Sequence, residues 1–385
     1  MLADHGVNFD QCEGQSLPGW VYYDPDFFRI EMERVIRPSW QVVCHVSDIP
    51  NVGDWHSLEL LGESVIVIRD DVKGVHAVYN VCRHRASRLL DGNSGCAKRI
   101  VCPYHGWAYA TDGRLTGVPD KSDYLGLDGV ALGLKAVDCE IWQGFIFIRL
   151  GGNGPSVAAM MAPYEAMIAP YRLPEMHSLS RVTLRPRAVN WKVIADNYSD
   201  ALHIPVAHPG LTRLFGRGYG IEAEAHVDRM WGDLVDRPST NPSERAYQHF
   251  LPKADYLPEV QQRRWLYFKL WPNVAFDIYP DQVDFMQFIP VSATQTLIRE
   301  IAYALPDARR EMKAARYLNW RINRQVNVED TALIAGVQAG MESASYTAGP
   351  LGESEVCLRS FARKLRMLIP EAENPVPPSR YAGLS

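Results

Sequence analysis

The sequence has no apolar run approaching the roughly 18 residues that suggest a membrane-spanning helix. Its longest candidate, around residues 160–168, is broken by Pro163 and Glu165. The N-terminus, Met1-Leu2-Ala3-Asp4-His5, lacks the charged-then-apolar order of a secretory leader, so a cytoplasmic location is expected. Runs of like charge are also missing. The 40 basic and 45 acidic residues leave a net charge of −5, which argues against nucleic acid as a partner. There is no G-x-G-x-x-G to cradle a dinucleotide, because Gly216-x-Gly218-x-Gly220 has the wrong spacing and no strand before it. Cysteine is scarce: seven residues (12, 44, 82, 96, 102, 139 and 357) make an odd number at scattered spacings. That pattern excludes a disulfide scaffold and reads as reduced thiols. No internal repeat is present, and only the tail at 375–378 is proline-rich.

What is present is the composition of an ordinary soluble protein, 47% hydrophobic and 22% charged over 385 residues, long enough for two or three domains. Within it stand two short, similar stretches, Cys82-Arg83-His84 and Cys102-Pro103-Tyr104-His105. Structural zinc usually takes its ligands as pairs of like residues from one hairpin tip. Here each stretch offers one thiolate and one imidazole, which suits a [2Fe–2S] cluster with two Cys on one iron and two His on the other. Exchanging two thiolates for neutral rings raises the potential to roughly −150 to +300 mV, against about −400 mV for an all-Cys cluster. Gly106 is expected to let the backbone pass close to the cluster and Trp107 to cover it.

A second metal pattern lies at Asp200-Ala201-Leu202-His203-Ile204-Pro205-Val206-Ala207-His208, written D-x₂-H-x₄-H. Two imidazoles and one carboxylate on one face of Fe(II) leave positions open for O₂ and substrate. On an unbroken helix His203 and His208 would point about 140° apart. Pro205 is therefore expected to break the helix and let them converge. Three acids compete for the third place. Asp200 is adjacent, but Asp330 continues an apolar stripe of Leu318, Ile322 and Val326 on a long helix, followed by Leu333, Ile334 and Val337. An acid on such a stripe is costly unless paired or metal-bound, which favours Asp330 over its neighbour Glu329.

The patterning predicts an α+β chain. An entry segment and helix, residues 1–38, is capped by Asp24-Pro25 and packs with the larger domain. Residues 39–152 read as short strands and turns, including 64–69 paired with 74–79 around Asp70-Asp71, a hairpin at Asp112-Gly113, and 144–150. Residues 153–385 hold antiparallel strands at 265–271, 275–279, 284–289 and 297–304, then a helix from about 306 to 342.

Together these residues resemble the oxygenase (α) subunits of the Rieske non-haem iron ring-hydroxylating oxygenases. The likeness spans nearly the whole chain. It includes Asp24-Pro25-Asp26-Phe27-Phe28, both Cys/His stretches, Asn190-Trp191-Lys192, the His pair, and Val328-Glu329-Asp330 with Val337-Gln338-Ala339-Gly340. It implies a small all-β Rieske domain and a helix-grip catalytic domain. The [2Fe–2S] ligands would be Cys82, His84, Cys102 and His105, and the mononuclear iron ligands His203, His208 and Asp330. Asp200 matches the bridging acid, which hydrogen-bonds a cluster histidine of a neighbouring subunit, and Asn197 is expected near the iron. A homotrimer follows from that bridge. Electrons would come from NAD(P)H through a separate reductase, possibly with a ferredoxin, and O₂ would be the co-substrate.

The His-pair segment looks closest to the choline-monooxygenase-like branch, so oxidation or N-demethylation of a quaternary ammonium compound is the first expectation. Hydroxylation of an aromatic ring or acid is the alternative. A carrier that only moves electrons, or a zinc-stabilised binding module, is a more distant reading. For a cationic substrate the aromatic pool is Trp231, Trp265, Tyr267, Trp271, Phe276, Tyr279 and Phe285, most of which are expected in the core.

Overall fold

The structure, a computed structural model, describes residues 14–70, 74–124, 126–127, 131–379 and 381. The N-terminal stretch read for a leader, Cys12, and Asp71 of the turn after residue 70 lie outside the described residues. The chain divides into two compact units, Arg37–Ala159 and a larger one formed by the segment ending at Ile36 with the chain from Met160 onward. The second division falls after Ala159, beyond residue 152 where the patterning set the end of the smaller domain. Val157 and Ala158 donate their backbone N–H groups to the Glu140 carboxylate at 2.7 and 2.8 Å, which ties the connector to the smaller unit.

The smaller unit contains three antiparallel sheets. One of four strands carries Glu63–Arg69 between Asp54–Leu60 and Val75–Tyr79. Another, of three short strands, holds the predicted hairpin as Ala108–Tyr109 and Leu115–Gly117. Trp55, Ile66, Val78, Ile100, Trp107 and Tyr109 form a core that also contains Cys82 and Cys102.

In the larger unit eight antiparallel strands make one sheet. Its spatial order runs from Tyr219–Ala223 through Val227–Asp233, Arg264–Leu270, Val274–Ile278 and Val283–Ser292 to Gln295–Ala304. Thr183–Arg187 and His177–Ser178 both pair with that last strand. The long helix, Arg310–Met341, buries Ala315 and Ile322 against Trp265 and Tyr279 of the sheet. Its buried stripe runs on through Ile334 and Gln338. Leu333 and Val337, expected on that stripe, are instead 42% and 45% exposed, because the face advances by alternating steps of three and four residues. Among the described residues no helix is long and apolar enough to cross a membrane.

The entry helix Pro25–Glu31 starts where Asp24 accepts the Phe27 N–H at 2.7 Å. Its last residue, Glu31, meets Lys192 at 2.7 Å, and both side chains are fully buried. Lys192 opens the helix Trp191–Tyr198, capped by Asn190, whose own N–H donates to Gln338 Oε1 at 2.8 Å. The segments Asn190-Trp191-Lys192 and Val337-Gln338-Ala339-Gly340, far apart in sequence, thus meet through one hydrogen bond. Removing one partner of a buried ion pair leaves the other charge unpaired and costs about 3–5 kcal/mol, whereas an apolar pair of similar volume can be neutral. Lys192→Met should therefore lower thermal stability strongly, and the double change Glu31→Leu/Lys192→Met should recover much of it. Equal melting temperatures for the two variants would count against this role.

Candidate functional site: two metal-binding clusters

The two Cys/His stretches fold into matching loops. Cys82 N–H donates to Ser87 O and Ala86 N–H returns to Cys82 O; likewise Cys102 N–H donates to Trp107 O and Gly106 N–H returns to Cys102 O. The fourth residue after each cysteine must be left-handed to close the loop, with φ of 56° at Ala86 and 71° at Gly106. Gly106 is thus needed for its backbone conformation, and a Cβ there would also meet Pro119 Cγ at 3.1 Å. Alanine in that conformation is strained by about 1–2 kcal/mol, of which glycine's extra chain entropy offsets about half. Ala86→Gly should raise stability by about 0.5–1 kcal/mol and Gly106→Ala should lower it, read by thermal unfolding of the intact protein. A lower melting temperature for Ala86→Gly would contradict the loop's symmetry.

These loops present donors suited to a metal cluster. The Nδ1 atoms of His84 and His105 are buried without a hydrogen-bond partner among the described residues. Their rings lie 4.7 Å apart, and Trp107, 2% exposed, stacks on His84 at 4.9 Å. Burial works against ionisation of Cys102, but backbone N–H groups of His105 and Tyr104 outweigh it and hold the thiol below its ordinary pKa. Desolvation and the neighbouring His84 and Arg85 lower the pKa of His105, which favours the neutral ring. Thiolate and neutral imidazole are the forms that bind metal. A single zinc, with bonds of about 2.0–2.3 Å, would draw all four donors within about 4 Å of one another. Among the described residues only one set of three ligand atoms lies within 4.8 Å of one another, and it is not in these loops. Two thiols and two imidazoles, one of each per loop, suit a cluster with the cysteines on one iron and the histidines on the other.

That set is His203, His208 and Asp330. The single-turn helix Ile204–Ala207 separates the histidines, with Pro205 inside its first turn, where proline is tolerated. The break falls instead at His208, with φ −118° and ψ 75°, just before Pro209 opens the next helix. Nε2 of His203 and Nε2 of His208 stand 3.1 Å apart, and Asp330 Oδ1 lies 3.0 Å from the second and 3.7 Å from the first. The opposite ring nitrogens are engaged: His203 Nδ1 with Asp200 at 3.1 Å, His208 Nδ1 with Glu329 at 2.8 Å. With Nδ1–H donating to a carboxylate, each Nε2 carries a lone pair. Two lone pairs and a carboxylate oxygen converging on one point fit a cation. Glu329 therefore stands behind His208, while Asp330 faces the centre and accepts from Asn197 Nδ2 at 3.2 Å.

Two family models match the chain. Residues 39–135 match the Rieske [2Fe-2S] domain and residues 173–371 the catalytic domain of ring-hydroxylating alpha subunits. The carnitine monooxygenase oxygenase subunit of Escherichia coli (strain K12) is 30% identical over 346 residues, 87% of this chain and 86% of that protein. The chain is a Rieske-type oxygenase alpha subunit. A glycine betaine monooxygenase oxygenase subunit of Pseudomonas aeruginosa (strain UCBPP-PA14) is 34% identical over 200 residues, 51% of this chain and 46% of its own. A solved quaternary ammonium Rieske monooxygenase, described for carnitine oxidation and inter-subunit electron transfer, superposes with a TM-score of 0.77. At 22% identity, covering 92% of this chain and 95% of that one, it shows the shared fold.

An oxygenase of this family carries a [2Fe–2S] cluster in its Rieske domain and a mononuclear iron in its catalytic domain, so the electron-carrier and zinc-module readings fall away. Around the His/Asp centre the catalytic unit encloses a cavity of about 750 Å³, which His203, His208 and Asp330 all line. Of the aromatic pool only Tyr267 and Tyr279 reach it. Trp265, Phe276 and Phe285 are fully buried in the core, while Trp231 lies under the Arg229 guanidinium and Trp271 packs at a tilt against Phe361. The cavity also gains Tyr198 and Tyr219, which the sequence reading passed over. Tyr198 follows Asn197 directly. Tyr219 sits inside the dismissed Gly218–Gly220 stretch, where Gly220 lies so close beneath Trp231 that a Cβ would fall 2.1 Å from its ring.

Proposed function

We propose that this chain is the terminal oxygenase of a multicomponent system that hydroxylates or N-demethylates a quaternary ammonium compound of the carnitine and betaine class. The observation that carries this reading is the tyrosine-lined cavity beside the His/Asp centre. Tyr219, Tyr267 and Tyr279 follow one another at ring-centroid distances of 6.1 and 6.2 Å, and all three rings line the cavity. Methylated ammonium groups are held by such faces through cation–π attraction. The E. coli and P. aeruginosa relatives, which act on such compounds by name, support it.

In this reading Cys82 and Cys102 hold one iron of the cluster and His84 and His105 the other, while His203, His208 and Asp330 hold the mononuclear iron. Iron at that triad supplies activation of O₂ with electrons delivered singly. The chain's own residues orient and screen. Glu329 and Asp200 fix the tautomers of His208 and His203, Asn197 steadies Asp330, and the cavity wall keeps water from the reacting carbon. Asp200 serves as the bridge between subunits: it already accepts from His203 Nδ1 and from the Leu202 N–H at 2.7 Å. Beside it Leu202 and Val206 are 52% and 85% exposed, and on the cluster loop Tyr104 is 55% exposed. Exposed apolar side chains next to both centres suit contact with another copy, and a homotrimer is the assembly we expect. An NAD(P)H-dependent reductase, possibly with a ferredoxin, is the electron source, and the cytoplasm the compartment.

Turnover by the reconstituted protein with its reductase, on a trimethylammonium panel and an aromatic panel, tests the reading. Formation of aldehyde or hydroxylated product from an ammonium compound supports it. Product from aromatic acids alone, or peroxide without product from every amine, overturns the substrate assignment.

A further inference from the structure

We propose that Asp277 and Asp284, set in the wall of the cavity, form the anionic half of the substrate site and select the substrate by its positive charge. The inference rests on the ammonium reading above and names the residues that would enforce it.

The pairing of the sheet places them. Tyr267 stands opposite Asp277, Asp277 opposite Asp284, and Asp284 opposite Ala302, so the four form one row across four adjacent strands. All four line the cavity. Like charges directly opposite on neighbouring strands destabilise a sheet. Burying them makes the conflict worse, and each of these acids is only 8% exposed.

The surroundings do not resolve it. Asp277 accepts from the hydroxyls of Tyr198 at 2.5 Å and Tyr279 at 3.2 Å, which satisfies its hydrogen bonds but brings no positive charge. Asp284 accepts from Gln282 at 2.8 Å on one oxygen, and its other oxygen has no donor among the described residues. Neither acid has an ion-pair partner among those residues. Arg185, whose charge reaches Asp284, is paired with Glu300. Arg316, further round the cavity, is turned to the carbonyls of Asp281 and Leu305. Burial pushes Asp277 up to about 6, and burial together with Asp277 pushes Asp284 well above the carboxylate range. A site that holds its carboxyls so reluctantly ionised gains most from a ligand that brings a cation.

The tyrosines complete the chemistry. The hydroxyls of Tyr219 and Tyr267 have no partner among the described residues, and both rings line the same space. A methylated ammonium group presents methyls to those faces and its charge to the acids, with no hydrogen bond required of it. A neutral hydrocarbon would leave two acids unanswered, and an arene carboxylate would add a negative charge with no cation to offset it. Two acids and a ring set therefore discriminate between substrate classes that the shared fold alone does not separate.

The test uses the intact protein with both metal sites loaded. Binding of tetramethylammonium, choline, glycine betaine and carnitine is measured by calorimetry beside 3,3-dimethylbutan-1-ol, the neutral isostere of choline. The wild type should prefer choline over the isostere by tenfold or more. Asp284→Asn removes charge at constant size and should weaken the cations by about tenfold, equivalent to about 1.4 kcal/mol, while leaving the isostere within about twofold. The cluster spectrum and melting temperature report that the variant is folded; should it not fold, Asp277→Asn takes its place with the same expected outcomes. Cation affinities untouched by Asp284→Asn, or an isostere held as tightly as choline, overturn the proposal. Failure of every ammonium compound to bind the wild type overturns the ammonium reading itself, whereas binding that ignores Asp284 overturns only the role of the acids.

Discussion

His208→Ala should leave the visible spectrum of the cluster unchanged and abolish product. The variant loses one of three donors that converge within 4.8 Å, and it also removes the His208 Nδ1 that the Glu329 carboxylate holds at 2.8 Å. Bound iron should fall by the one mononuclear atom, while the two irons of the cluster remain. The same result is expected for Asp330→Ala, because its oxygen lies 3.0 Å from His208 Nε2 and no other acid among the described residues joins that set. Glu329→Gln provides the graded comparison. It removes an outer partner of a ligand, so metal affinity or activity should drop by about 10–100-fold rather than vanish. Iron analysis with the spectrum of the cluster distinguishes the cases. If His208→Ala keeps its full iron and turns over, the triad is wrongly assigned.

Asp200→Asn should slow electron transfer out of the cluster beyond any loosening of the iron that losing the outer partner of His203 brings. The side chain now receives His203 Nδ1 on Oδ2 and the Leu202 N–H on Oδ1. An amide has a single acceptor oxygen, so one of those two donors would face an NH₂ group. A partner histidine on the neighbouring subunit would lose its charged acceptor as well. In single-turnover reduction followed by exposure to O₂ and substrate, reoxidation of the cluster should slow by at least about tenfold, in line with other partners of metal-bound histidines. The resting spectrum of the cluster should match the wild type, and the rate is taken per bound mononuclear iron, because His203 loses its outer partner here as His208 does in Glu329→Gln. An unchanged reoxidation rate would remove Asp200 from the bridge and leave it as the residue that positions His203.

These expectations draw unequally on sequence and structure. The cluster ligands sit two and three residues apart, so loop geometry alone brings each pair together, and spacing suffices to find them. Asp330 was legible for a related reason: a helix repeats its face at short intervals, and an acid on an apolar stripe stands out. The same periodicity misled at Leu333 and Val337, where a single-stripe reading ignored how the face advances along a helix of 32 residues. Pro205 misled because a proline in a first turn does not break a helix, and His208 does so instead.

What the sequence by itself determined was the local chemistry: two Cys/His loops, a histidine pair, a candidate acid, and with them a Rieske-type oxygenase. The tertiary structure decided what depends on residues that meet from distant segments. Glu329 finds His208 across 121 positions, Asn197 finds Asp330 across 133, and Gln338 finds Asn190 across 148. Strand register set Tyr267, Asp277 and Asp284 in one row facing the cavity, and a slip of one residue would have turned any of them to the other face. Periodicity shows which side chains share a face of one element. Which faces meet is decided only when the sheet pairs and the long helix packs upon it.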